Sequence, residues 1–314
     1  MSVQARVAGL TELPSIGPAV VTMGVFDGVH LGHRAVLEAT REAAAERGIG
    51  SVALVFDPPP DEVLRPGTRV PRLAPLAVNL SRIEDLGVDH AVAIRFDEPL
   101  RALTAEEFLG ALWPAVELRG LVMSGRSAFG RDRDGTPARM QELGAERGFD
   151  VPLVEPVEVG GTLVSSTRVR EAIAAGDVEG ARALGVAPYL EGIVVEGDRR
   201  GRELGFPTAN LRFGYTPALP SLGIYAGRVT EAGTGVSAGH PALIAVGTRP
   251  TFHDTPDVLV EVHLLDFDGD LYGVRLGVEL ATRLRDERRF PDASALVAQM
   301  RLDAAMGRAA LGLG

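Results

Sequence analysis

Gly24-Val25-Phe26-Asp27-Gly28-Val29-His30-Leu31-Gly32-His33 is the stretch whose reading decides the fold. Before it, residues 19–23 (Ala-Val-Val-Thr-Met) are apolar and β-branched, which predicts a buried strand. After it, residues 34–47 carry good helix formers, with Val36, Leu37, Thr40, Ala43 and Ala44 on one side and Gly48 where a C-cap glycine belongs. The motif thus occupies a strand-to-helix turn, where unpaired N–H groups and the helix dipole favour an anion. Gly28 and Gly32 let the backbone approach a phosphate closely. His30 and His33, one helical turn apart, can both point at that phosphate. A lone string of this kind also fits capping histidines, but the flanking strand and helix favour a nucleotide site. A metal site fits less well, because Asp27 is the one further ligand with sensible spacing.

Composition narrows the function. At 314 residues the chain is long enough for two domains with sizeable cores. A net charge of −10 without a basic stripe argues against a nucleic-acid partner. There is no cysteine, which excludes disulfides, zinc–thiolate sites and thiol catalysis. There is also no lysine, so a Walker A loop and a Schiff-base lysine are excluded and every side-chain ammonium is replaced by arginine. The start has no basic region followed by an apolar core, and no apolar run approaches membrane-spanning length, so a cytoplasmic protein is expected.

From residue 19 to about 185 the pattern alternates strand and helix. Strands are expected at 51–56, 89–94, 120–124 and 151–159, and helices at 78–86, 104–113, 136–147 and 178–184. Thr104 with Glu107 forms a capping box. Such alternation predicts an α/β domain with a Rossmann-like parallel sheet and helices on both faces, its ligand beyond the carboxyl ends of the strands. Ser165-Ser166-Thr167-Arg168-Val169-Arg170 opens another helix, with Ser165 or Ser166 as N-cap, a threonine hydroxyl and two guanidiniums. That set suits a polyphosphate, although plain capping with solvated arginines is the simpler alternative.

After Val186-Ala187-Pro188 the texture becomes short alternating runs at 189–196, 223–230, 243–246, 258–265 and 274–280, a small antiparallel barrel or sandwich. A helix at 293–306 closes the chain. The basic glycine-rich stretch 197–206 leads into Pro207-Thr208-Ala209-Asn210. In an extended segment Thr208 and Asn210 face the same side, two hard oxygen donors suited to Mg²⁺ that also holds nucleotide phosphates. A plain turn is the alternative. In Val258-Leu259-Val260-Glu261-Val262-His263-Leu264-Leu265, alternation sets Glu261 among leucines, a costly place for a carboxylate that is neither used nor paired. Glu261 fits a general base for a hydroxyl proton, or an outward-facing edge-strand glutamate. Asp266-Phe267-Asp268-Gly269-Asp270 lacks the Gly and Glu of a calcium loop, and Asp268-Gly269 reads as a hairpin turn.

Together these motifs resemble the prokaryotic bifunctional riboflavin kinase/FMN adenylyltransferases, or FAD synthetases. The resemblance runs in order over nearly the whole chain: Gly24 to His33, Phe56-Asp57-Pro58, Ser165 to Arg170, Gly201 to Asn210, Gly223-Ile224-Tyr225, Val246 to Phe252, Glu261 and Leu271-Tyr272-Gly273. It implies a nucleotidyltransferase domain of the His-x-Gly-His superfamily over residues 1–186. A six-stranded β-barrel kinase domain with a C-terminal helix would follow over 187–314. It further implies His30, His33 and Glu261 as catalytic groups and Mg²⁺ held by Thr208 and Asn210. Nucleotide and phosphate contacts would come from Gly24, Phe26, Asp27, Gly28, Gly32, Ser166, Thr167, Arg168, Gly197, Gly201, Arg202, Gly205 and Pro207. Riboflavin, FMN and ATP would be the partners, with no nucleic acid and no membrane. Three positions depart from the family pattern: Arg126 and Ser127 stand where Asp/Asn and Phe are usual, and Pro59 where a histidine is usual. Arginine only donates hydrogen bonds. A kinase with a degenerate or differently specific first domain, and a flavin-binding regulator without catalysis, are the alternatives.

Overall fold

The apolar run at 19–23 is the centre of β1 (Gly17–Gly24), which is buried on both faces. Val21 packs into one apolar cluster with Phe108, Leu112 and Met140, while Val20 packs with Ala44 on the other face. The computed structural model describes residues 7–197, 205–232, 236–249 and 257–313. It divides into two units, the first Met1–Val70 with Pro75–Ser166, the second Pro71–Ala74 with Thr167–Gly314.

In the first unit β1 leads to α1 (Leu31–Arg47), β2 (Gly50–Asp57), α2 (Pro60–Leu64), α3 (Leu76–Asp85) and β3 (His90–Arg95). Then come α4 (Glu98–Ala102), α5 (Ala105–Leu112), β4 (Val116–Leu121), β5 (Met123–Ser124) and α6 (Pro137–Arg147). The sheet is parallel, in the order β3-β2-β1-β4. Helices cover both faces: Leu37 of α1 and Ile83 of α3 pack against Ala53 and Val55, and α5 and α6 pack against Val52 and Leu54. The expected capping box at Thr104 and Glu107 is formed, and Gly48 ends α1 in the left-handed region.

Two expectations need correction. Residues 151–159 are not one strand but β6 (Leu153–Val154) and β7 (Glu158–Val159), the latter pairing with β8 (Thr162–Leu163). Pro156, which has no N–H to give a ladder, lies between them. The strand expected at 120–124 is β4 followed by β5, and β5 pairs in parallel with β6.

The second unit continues through α7 (Ser166–Ala174), at whose start the division falls, and α8 (Val178–Ala183). Six strands follow: β9 (Tyr189–Val195), β10 (Ala209–Arg212), β11 (Gly223–Ala232), β12 (Pro241–Arg249), β13 (Asp257–Leu264) and β14 (Arg275–Arg285). They close into a barrel in the order β10-β13-β12-β11-β14-β9, filled by Leu190, Tyr225, Ile244, Val246, Val260, Val262, Leu276 and Val278. Sequence alternation did not resolve β10 as a strand, because it is short and its partners are distant in sequence. The turn after β13 is centred on left-handed Asp266 rather than on Asp268-Gly269, and a longer connection runs on to β14. Pro71–Ala74 is built into this unit: Arg72 N–H donates to the Thr216 carbonyl at 2.8 Å, and Ala218 N–H to the Arg72 carbonyl at 2.8 Å.

The closing helix α9 (Ala293–Ala310) is fixed to β14 by a buried ion pair. Arg285 donates through Nε to Asp303 Oδ1 at 2.8 Å and through a second nitrogen to Oδ2 at 2.6 Å, and Gln299 also donates to Oδ1. Asp303 is 2% exposed. Removing one partner strands the other charge, so Asp303→Ala is expected to destabilise this unit by about 3–5 kcal/mol in urea unfolding. Replacing both, Arg285→Met with Asp303→Leu, is expected to recover most of that loss.

Candidate functional site

The opening motif is a tight turn rather than an open loop. Phe26, Gly28 and Val29 have φ of 49°, 76° and 48°, all left-handed. Phe26 and Val29 are nonetheless buried, packed with Leu37, Val55 and Ile83. His30 is the N-cap of α1, and its Nδ1 accepts the His33 backbone N–H at 3.3 Å. An acceptor Nδ1 means the neutral ring carries its proton on Nε2. The His30 and His33 rings stack at 3.6 Å between centroids, and Phe26 meets His33 edge-on at 5.2 Å. Gly32 is where the His30 ring needs room: a Cβ there would lie 3.2 Å from His30 Cε1. Gly24 ends β1 beneath Phe26, whose ring lies 3.3 Å from where its Cβ would be.

The turn's N–H groups are used differently from the sequence expectation. Gly28 N–H donates to Asn79 Oδ1 at 3.0 Å rather than pointing out toward an anion. Asn79 also donates to Asp27 Oδ1 at 3.4 Å, with both side chains buried. Asn79 was not among the expected site residues. Its only sequence signal is a polar residue on the apolar stripe of α3 formed by Leu76, Leu80 and Ile83. Ser166 closes on the same turn, its hydroxyl donating to the Asp27 carbonyl at 3.4 Å. Thr167 and Arg168 follow it in α7, and Arg170 in the same helix donates to the Pro71 carbonyl at 2.6 Å.

The departures lie after β5 and β2. Arg126 is exposed, with its backbone N–H on Ser124 Oγ at 3.5 Å, and the Ser127 hydroxyl closes a turn on the Ser124 carbonyl at 2.8 Å. Phe129 packs edge-on against Phe108 at 5.5 Å. Pro59 is the N-cap of α2.

In the barrel, Asn210 of β10 pairs directly with Glu261 of β13. Barrel alternation sends Val260 and Val262 to the interior, so Glu261 and His263 lie on the outer face. The Thr208 hydroxyl donates to Glu261 Oε1 at 3.2 Å. His263 Nδ1 lies 2.8 Å from the Pro207 carbonyl, and its ring meets Phe206 at 5.3 Å. Thr208, Asn210 and Glu261 are therefore brought together. Asn210 is 6% exposed, and its Oδ1 has no hydrogen-bond partner among the described residues. A Cβ at Gly197 would fall inside the Asn210 carboxamide, so Gly197 is the residue that allows this approach. An orphaned amide oxygen beside a hydroxyl and a carboxylate is a donor set that fits a hard cation. Gly205 is left-handed at φ 81°, while Gly201 and Arg202 lie outside the described residues.

A family model described as FAD synthetase matches residues 14–168, and one described as riboflavin kinase matches residues 184–311. The bifunctional riboflavin kinase/FMN adenylyltransferase of Pseudomonas fluorescens is 38% identical over 306 residues, 96% of either chain. The protein of the same description from Escherichia coli K12 is 36% identical over 306 residues, 97% of this chain and 96% of that one. Among solved structures, a Streptococcus pneumoniae protein described as a macrolide-efflux protein has a TM-score of 0.86 at 29% identity, covering 96% of this chain and 97% of that chain. Among the described residues here, no helix is long and apolar enough to cross a membrane.

Because His30 caps α1, His30→Ala is expected to destabilise the first unit by about 1 kcal/mol, and His30→Asn, a good cap, to restore it. Thermal unfolding of the two variants checks this.

Proposed function

The chain belongs to the family of bifunctional riboflavin kinase/FMN adenylyltransferases, and we propose that its residues carry out two successive ATP-dependent steps. Riboflavin is phosphorylated to FMN by residues 187–314, and FMN is adenylylated to FAD by residues 1–186. The observation that supports the first step best is Asn210 opposite Glu261, with the Thr208 hydroxyl 3.2 Å from the carboxylate.

In the kinase step Glu261 accepts the proton of the riboflavin 5′-hydroxyl. That oxygen forms its bond to the γ-phosphorus of ATP as the bond to the ADP oxygen breaks. Thr208 orients the carboxylate by donating to it, and its lone pairs remain acceptors in a group that is donor and acceptor at once. Thr208 and Asn210 would hold Mg²⁺, which when bound neutralises phosphate charge. Pro207, fixed in φ, sets the direction from which Thr208 enters. Gly197, Gly201, Arg202 and Gly205 are the residues we assign as contacts to the ATP phosphates.

In the adenylyl step an FMN phosphate oxygen attacks the α-phosphorus of ATP and pyrophosphate leaves. His30, with its proton on Nε2, and His33 donate to the charge that develops there. Gly24, Phe26, Asp27, Gly28 and Gly32 shape the turn on which they stand. Ser166, Thr167 and Arg168 hold the departing pyrophosphate, the guanidinium in a fork. The reading places the protein in the cytoplasm, with riboflavin, FMN and ATP as its partners and neither nucleic acid nor membrane among them.

Incubation with Mg-ATP and riboflavin, and separately with Mg-ATP and FMN, followed by chromatography, tests this. FMN from the first and FAD from the second are expected. Absence of FMN overturns the kinase reading, and absence of FAD the adenylyltransferase reading. Glu261→Ala should abolish FMN formation and leave FMN-to-FAD conversion intact. His33→Ala should lower FAD formation by about 100- to 1000-fold and spare the kinase. Loss of both activities in either variant contradicts two separate sites.

A further inference from the structure

The left-handed residues Phe26, Gly28 and Val29 of one turn demand an explanation. Phenylalanine and a β-branched valine both adopt φ near 50°, a strained conformation that persists only where the surroundings over-determine it. Apolar packing on Leu37, Val55 and Ile83 restrains the Phe26 and Val29 side chains. The polar part of the restraint comes from α3. Asn79 accepts the Gly28 N–H at 3.0 Å and donates to Asp27 Oδ1 at 3.4 Å. Asn79 is 2% exposed and Asp27 1%. An amide held that deeply on an apolar helix face carries a desolvation cost that a leucine would avoid. Its partners, Asp27 and Gly28, are separated by Val29 alone from His30, the residue that caps α1.

We propose that Asn79 is a positioning residue for adenylyl transfer. Its carboxamide fixes the backbone of Asp27 and Gly28, and through the Val29 link that backbone fixes where the His30 ring and the start of α1 stand. Asn79 touches no reacting atom. It sets the geometry of groups that do, and a misplacement of about 1 Å in such groups can cost roughly 100-fold in rate. The proposal rests on reading His30 and His33 as the adenylyl-transfer groups.

The test uses the full chain, whose kinase activity serves as an internal control, with Asn79→Ala and Asn79→Asp. The second keeps an acceptor for Gly28 N–H while setting a carboxylate against that of Asp27. FAD formation is measured at varied FMN, and hydrogen–deuterium exchange is followed across the first unit. In Asn79→Ala, kcat for FAD formation should fall at least about tenfold with KM for FMN nearly unchanged, since the interaction lost acts on the transition state. Kinase activity should be retained, and faster exchange should be confined to peptides spanning residues 24–33. Asn79→Asp should lie between Asn79→Ala and wild type. FAD formation within about twofold of wild type in both variants overturns the proposal. Faster exchange throughout β1 and β2 also overturns it, because Asn79 would then serve the fold alone. Wild-type protein that makes no FAD from FMN removes the adenylyl-transfer reading itself, before any variant is compared.

Discussion

A strand buried on both faces has no place for an unpaired polar side chain, and the first unit is built on such strands. Its buried Thr22 and Ser51 hydroxyls donate to the Val122 carbonyl and to Asp89. Val20 and Val21 of β1 point to opposite layers and are both fully buried. Chemistry is thereby driven to the strand's end, where the chain must turn, and the turn at Phe26–Val29 with His30 as helix cap is what stands there. The barrel obeys the complementary rule. Its strand β13 buries one face only, so Val260 and Val262 fill the interior while Glu261 and His263 are carried on the outside. One constraint, the number of faces a strand must bury, thus decides where each unit can keep its functional groups.

That constraint also explains what was legible in the sequence. Periodicity announced β1, β2 and β3, helices α1 and α3 and most of the barrel strands, because burial imposes a repeat on neighbouring residues. Helix α2, at five residues too short for a repeat, was not foreseen. The capping box at Thr104 and the C-cap at Gly48 were legible because they are made by residues within one turn. Thr208, Asn210 and Glu261 were legible as types, and the antiparallel pairing of β10 with β13 then set Asn210 against Glu261.

What was hidden depends on partners far apart in sequence. Asn79 lies 51 residues from Gly28, and its place on the apolar stripe of α3 says that it is buried but not what it meets. That the Gly28 N–H is taken by a side chain from α3 was hidden for the same reason. β10 is too short to show a repeat and exists because β9 and β13 flank it. The break in 151–159 was written locally, in Pro156, but an apolar run on either side outweighed it.

The four residues Pro71–Ala74 carry a consequence for how the protein is made. They leave the ribosome long before Thr216 and Ala218, the residues whose backbone they bond. Throughout synthesis of the intervening chain, the Thr216 carbonyl and the Ala218 N–H that Arg72 bonds do not yet exist. Assembly of the second unit is therefore a capture event, in which the newest part of the chain finds one of the older ones. Its closure entropy is that of a loop of well over one hundred residues, which grows only slowly with length. Insertions between these two points should accordingly be tolerated far better than a cut between them, which would turn an intramolecular search into a bimolecular one.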